Sequence, residues 1–262
     1  MKKILYLCIL TIVISAFGIN FQPATLKFNA AELVNTTINA QPALRLIFKD
    51  DFGGSTLNSN KWISKLQWGR TNPPELQYYA PSQLKFSGGV LHIKAEKKWT
   101  NRMRYTSGAL STYGKFKFTY GVVKVRIRTP YGKGLWPAVW LLDYAGGAQE
   151  IDITESVGDL PNISFMTLHY PTSSGTKSLG THYGGTNLTA AFHIFKVDWS
   201  RNAITWYIDG IQRYRLTQHI PTKPMYLIIN LAVGGDWPGS PDSTTKFPAY
   251  FNIDYVHIYK RQ

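Results

Sequence analysis

Glu150-Ile151-Asp152-Ile153-Thr154-Glu155 alternates acid and branched apolar residue for four positions and then breaks step. On a strand, side chains point to alternate faces, so Glu150 and Asp152 share one face while Ile151 and Ile153 share the other. Glu155 is out of phase by one residue. A β-bulge at Ile153–Thr154 restores it, because the extra residue resets the alternation. Three acids then line one face of a sheet whose other face is apolar. The run follows Gly134-Leu135-Trp136-Pro137-Ala138-Val139-Trp140-Leu141-Leu142, a second apolar stretch carrying two indoles.

A sheet built for stability alone would not gather like charges. Retaining glycoside hydrolysis needs two carboxyl groups about 5–5.5 Å apart, one as nucleophile and one as acid/base. The backbones of Glu150 and Glu155 are expected about 13 Å apart, a gap that two long side chains leaning together over a concave sheet can close. Asp152 between them can hydrogen-bond the nucleophile and help keep the other Glu protonated. An acidic edge strand or a cation site is the rival reading of the hexapeptide.

The remaining chain reads as short strands between turns. Segments 90–95, 192–199, 203–208, 225–233 and 251–259 are rich in β-branched and aromatic residues. Segments 113–120 and 122–128 flank Gly121 as an expected hairpin, with Lys124, Arg126 and Arg128 alternating with Val123, Val125 and Ile127. Asp209-Gly210 marks a tight turn. Helical period is scarce and no internal repeat occurs, which excludes solenoids and propellers. Two stacked antiparallel sheets are expected.

The residues above resemble glycoside hydrolase family 16, whose laminarinases and other endo-β-1,3-glucanases carry Glu-x-Asp-x-x-Glu; lichenases typically lack the bulge residue. The likeness spans roughly 44–262. It includes Tyr105-Thr106-Ser107-Gly108-Ala109-Leu110, the 115–126 segment, the two-indole run, Trp206-Tyr207-Ile208-Asp209-Gly210 and the 231–242 segment with Gly234-Gly235-Asp236-Trp237-Pro238-Gly239-Ser240. It implies an all-β, concanavalin A-like jelly-roll sandwich of two antiparallel sheets with a substrate cleft on the concave one. Glu150 is then the nucleophile, Glu155 the acid/base and Asp152 the assisting carboxylate.

The same resemblance implies that Trp136, Trp140 and Trp237 are sugar-stacking platforms, and that His169 is a histidine near the acid/base. Asn72, Glu75 and Tyr78 match a substrate loop, although Pro73-Pro74 departs from its commoner Asn-rich form; Arg104 is expected to reach sugar hydroxyls. No cofactor is expected for catalysis. A structural Ca²⁺ is implied on the convex face at Asp51, Gly89 and Asp254, where oxygen donors suit a hard cation. The implied activity is endo-acting, retaining hydrolysis of a laminarin-like β-1,3-glucan. Mixed-linkage glucanase, β-galactan hydrolase and transglycosylase are the rivals within the family, and a non-catalytic glucan-binding module is the rival outside it.

The chain's 262 residues suit one large all-β domain. Its 14% aromatic content, with 8 Trp and 16 Tyr, fits both a sandwich core and a carbohydrate groove. Formal net charge is +14, yet no nucleic-acid motif accompanies it; solubility and loose adhesion to an acidic wall or matrix account for it. Met1-Lys2-Lys3 and the apolar 4–17 stretch have the form of a secretory signal, too short for a comfortable membrane span. Segment 1–18 is read as that signal, with cleavage possible as late as Ala30, followed by a leader at 19–43 and the catalytic domain at 44–262. Cys8, the only cysteine, leaves with the signal. A secreted monomer without a stable membrane span is expected.

Overall fold

The computed structural model describes residues 43–262. The expected signal, nearly all of the leader, and Cys8 lie outside the described residues. The strands, in chain order, are β1 Leu44–Asp50, β2 Gln77–Tyr79, β3 Leu84–Ser87, β4 Val90–Ala95, β5 Tyr105–Ser107 and β6 Ala109–Ser111. Then come β7 Gly121–Arg128, β8 Leu135–Asp143, β9 Glu150–Glu155, β10 Ile163–Thr172 and β11 Gly175–Gly184. The last five are β12 His193–Trp199, β13 Ile204–Ile208, β14 Ile211–Leu216, β15 Met225–Val233 and β16 Ala249–Arg261. One turn of 3₁₀ helix at Pro81–Gln83 is the sole helical element among the described residues. None of it is long and apolar enough to cross a membrane.

Eight strands form one sheet in the order β14-β13-β12-β7-β16-β4-β3, with β1 also paired to β16. Six form the other, β11-β10-β9-β8-β15-β6. All pairs within the two sheets are antiparallel; β2 and β5 make a separate two-stranded parallel ribbon. The expected two-sheet jelly-roll sandwich is what forms.

Period-two patterning builds its core. On β7 the valines and Ile127 are buried while Lys124, Arg126 and Arg128 stand on the outer face. Val123, Val125 and Ile127 meet Leu141, Ile151, Ile153, Leu168 and Ile229 of the six-stranded sheet in one cluster. β15 is buried along its whole length and nearly all apolar, because both of its faces are covered. One face joins the main core; the other places Tyr226 and Ile228 in a second cluster with Leu66 and Tyr79.

Segment 113–120 is not the strand expected before Gly121. Thr112 carbonyl accepts from the Lys115 and Phe116 amides, so the chain turns there, and only Phe118 bridges to Met225. Its alternating phenylalanines instead seal the sandwich edge, Phe116 against Phe48 and Phe118 against Trp199. Accordingly β7 pairs with β12 and β16. The Asp209-Gly210 turn forms as expected between β13 and β14, with φ of 51° and 82°.

Candidate active site

The site begins with the backbone irregularity in β9. On its β8 side Val139 pairs with Thr154 and Trp140 with Asp152, leaving Ile153 without a partner. On its β10 side Glu155 pairs with Phe165 and Asp152 with Thr167, so two residues of β9 face one of β10. This is the bulge the acid spacing requires. Ile151 and Ile153 enter the core, and Thr154, also buried, bonds Ser164 at 2.9 Å. The Asp152 carbonyl accepts a 2.8 Å bond from Trp206 Nε1, reaching across from β13 in the other sheet.

Glu150, Asp152 and Glu155 consequently line one cavity of about 270 Å³ on the outer face of the six-stranded sheet. Burial raises the pKa of all three. For Glu150 the charge of Asp152 adds to it, while His169 opposes. For Asp152 the added charge is that of Glu155. Glu155 is pushed up to about 7, by burial first and by Glu150 second, against a 3.0 Å hydrogen bond from Trp136 Nε1 that favours its ionised form. A carboxyl titrating there holds its proton in a mildly acidic solution and can release it during a reaction cycle.

His169 lies opposite Glu150 on β10. Its Nε2 is 3.1 Å from Asp152 Oδ2 and 3.9 Å from Glu150 Oε1, and its charge also opposes the raised pKa of Glu155. The ring lies beside Asp152 Oδ2 without an aligned hydrogen bond to it. Donor atoms of Glu150, Asp152 and His169 fall within 4.8 Å of one another, a spacing that could hold a divalent cation. A carboxylate bound to a cation is not free to attack carbon, so that occupant and acid-pair chemistry exclude each other.

Period two along β8 puts Trp136, Ala138, Trp140 and Leu142 on the cavity floor, and both indoles line it. Trp237 is 45% exposed and meets Trp136 edge-on at 5.3 Å and Phe165 at 4.8 Å. It continues the aromatic surface past the Glu155 end. Gly134 permits this loop to close: its φ is 74°, and a Cβ there would sit 2.4 Å from Pro241 N.

Asn72 and Glu75 form the opposite wall. Buried Glu75 accepts from Asn72 Nδ2 at 2.8 Å, Gln77 Nε2 at 2.5 Å and Tyr79 hydroxyl at 3.0 Å. Tyr79 in turn accepts from Asn230 Nδ2, whose Oδ1 accepts from Trp140 Nε1 at 2.8 Å. Burial and the Glu75 charge raise the Tyr79 hydroxyl well above its usual range, so it stays a donor. The chain of bonds fixes the Trp140 ring to the loop above it.

Two expected contacts are not brought to the cavity. Strand alternation buries Gln77 and Tyr79 and turns Tyr78 away. Arg104 is exposed, outside the lining. Conversely Trp68, its ring centroid 6.2 Å from Trp140, and Asn230 line the site without having been anticipated. Asn230 is the one polar residue in 225–233, a signal available beforehand; Trp68, in a loop without periodicity, offers none.

The Ca²⁺ positions lie elsewhere. Asp254 is the unpaired residue of a bulge in β16, with Oδ2 against Arg126. Asp51 has both carboxylate oxygens engaged, by Lys49 at 2.8 Å and by His257 at 2.6 Å. Gly89 turns the chain between β3 and β4 at φ 73°. The oxygen donors left for such an ion are Asp254 Oδ1 and backbone carbonyls, a set that fits a hard cation completed by water.

Two glutamates lining one pocket, a third carboxyl between them and indoles along the floor define a glycoside hydrolase that works through a carboxyl pair. The family model for glycosyl hydrolases family 16 matches residues 77–256, and the chain belongs to that family. The beta-glucanase of Rhodothermus marinus is 34% identical over 251 residues, covering 84% of this chain and 86% of that protein. The catalytic domain of an endo-1,3-beta-glucanase (laminarinase) from Thermotoga petrophila matches with a TM-score of 0.77 at 30% identity, over 84% of this chain and 99% of that one. The endo-beta-1,3-glucanase from Pyrococcus furiosus matches with a TM-score of 0.73 at 36% identity, over 84% and 96%.

Proposed function

We propose that this family 16 enzyme is a secreted, endo-acting hydrolase of β-1,3-glucan that retains anomeric configuration. The observation that carries the reading is the bulge in β9, which delivers Glu150, Asp152 and Glu155 to one cavity with Glu155 titrating near 7. The relatives named as beta-glucanase and laminarinase support the substrate class. Secretion is proposed from the charged and apolar pattern of 1–18.

In the first half-reaction a Glu150 carboxylate oxygen attacks the anomeric carbon. The glycosidic C–O bond breaks, and Glu155 gives its proton to the departing sugar oxygen. The His169 ring beside Glu150 favours its ionised form, the form that attacks. Once Glu150 is esterified its negative charge is gone, so Glu155, having given up its proton, stays a carboxylate and takes a proton from water as base. The water oxygen attacks the same carbon, the ester bond breaks and Glu150 is released as carboxylate. Trp136 and Trp140 hold flat sugar faces, and Trp237 extends the grip toward a further residue of the polymer. A structural Ca²⁺, if bound, would be held by Asp254 with backbone carbonyls at Asp51 and Gly89, and would supply stability rather than chemistry.

Glu150→Ala and Glu155→Ala are expected each to remove most laminarin hydrolysis while the domain stays folded. Azide should rescue the Glu155 variant with retention and the Glu150 variant with inversion. Wild-type turnover in either variant overturns the assignment. Product profiles on laminarin, lichenan, agarose and carrageenan decide the linkage.

A further inference from the structure

The outer face of the eight-stranded sheet, on the side of the sandwich away from the acids, has an order that neutral-glucan hydrolysis does not explain. Directly opposed residues run across five strands as Tyr207, Lys196, Lys124, His257 and Lys49. Like charges directly opposed on a sheet destabilise it, yet Lys196 faces Lys124. A second transverse row places Arg128, Asn252, His92 and Lys85 in consecutive register and borders a shallow depression with Tyr250.

The acids of this face are already spent. Asp198 pairs with Arg261, Asp254 with Arg126, and Asp51 with Lys49 and His257. Among the described residues no carboxylate comes within ion-pair distance of Lys124, Lys196 or Arg128. Each instead lies over an aromatic ring: Lys196 at 3.4 Å from the Tyr207 centroid, Lys124 at 5.4 Å from Tyr259, Arg128 at 5.5 Å from Phe192. Burial, with the nearby positive charges of Lys124 and Arg261, depresses the Lys196 pKa despite Asp198. An external anion would relieve that strain.

We propose that this face binds an acidic polysaccharide, a chain bearing one carboxylate or sulfate per sugar or two, which holds the enzyme on an anionic matrix while the cleft works on neutral glucan. The cations recur at the strand spacing, about 4.8 Å, a pitch of the same order as a pyranose repeat. Rings interleaved with the cations offer flat surfaces to sugars. Duplex nucleic acid carries a charge every 1.7 Å or so and is read by helices or ribbons entering a groove, which a flat sheet face does not supply. The first row has no apolar side chain to enter a bilayer.

The test is affinity electrophoresis of the intact chain in gels containing polygalacturonate, dextran sulfate or neutral laminarin, with the Lys124→Gln/Lys196→Gln double variant and a control, Lys97→Gln/Lys98→Gln, that removes the same charge from an exposed loop. Retardation by either polyanion should weaken tenfold or more in the first variant and by less than twofold in the control, with laminari-oligosaccharide turnover unchanged in both. The two polyanion gels separate carboxylate from sulfate preference. Equal loss in both variants means a net-charge effect, and no retardation means no site; either overturns the proposal. Tighter binding of a DNA duplex or of phosphatidylserine vesicles through the same two lysines overturns the choice of occupant. None of these outcomes touches the cleft assignment, which rests on Glu150 and Glu155.

Discussion

Replacing Glu155 with Gln should make the protein more stable, and only at pH values where the unfolded chain ionises that carboxyl. The folded-state pKa of Glu155 is about 7 against an ordinary 4.5. Below pH 4.5 the carboxyl is protonated folded or unfolded and contributes nothing. Between 4.5 and 7 the unfolded chain ionises while the folded site keeps its proton, so the native state loses about 1.4 kcal/mol per pH unit. Above 7 the loss is complete, at about 3 kcal/mol. Gln keeps an oxygen for the Trp136 bond and removes the charge that also raises Asp152, so the gain is at least of this order. For a domain of this size it corresponds to roughly 6–12 °C in Tm. Urea and thermal melts of both proteins at pH 4 and pH 8.5 measure it. A Gln variant that gains as much at pH 4 as at pH 8.5, or nothing at either, refutes burial as the source of the raised pKa.

Trp206→Phe leaves the Asp152 carbonyl buried without its donor, which costs about 1–3 kcal/mol; kcat should fall while KM on laminarin holds. Unchanged kcat in the folded variant would make the indole a packing group only. Chelation with EDTA should lower Tm and leave turnover at 25 °C intact if Asp254 Oδ1 holds Ca²⁺, and a differential scan with and without added Ca²⁺ that shows no shift removes the site.

What could be read beforehand was whatever depends on local period. The parity of Glu150, Asp152 and Glu155 demands a bulge, and the β7 alternation separates core valines from surface cations. What could not be read depends on which strands meet. Segment 113–120 alternates as a strand does, but its partners are an edge phenylalanine and a tryptophan, so it folds as a plug. Its loop points to a place for Tyr78 in the site, whereas the two-residue repeat through Gln77 and Tyr79 turns it outward. Trp206 supports the catalytic strand from 54 positions away in sequence, through a contact that exists only once the two sheets are stacked.

The two charged faces raise the question of which field governs the acids. A formal charge of +14 would lower carboxyl pKa values if it acted at long range. The groups that set Glu155 are burial, Glu150, Trp136 and His169, with no lysine or arginine among them. The sheets of a sandwich stand about 10 Å apart, and solvent at physiological salt screens exposed charges over about 8 Å. Cations on the far face therefore leave the acids to their desolvation. That separation lets one small sandwich keep a protonated glutamate near neutral pH while its other side stays strongly positive. Charge placed on the cleft rim would not have this freedom: a lysine beside Glu155 would favour its ionised form and remove the proton the leaving group needs.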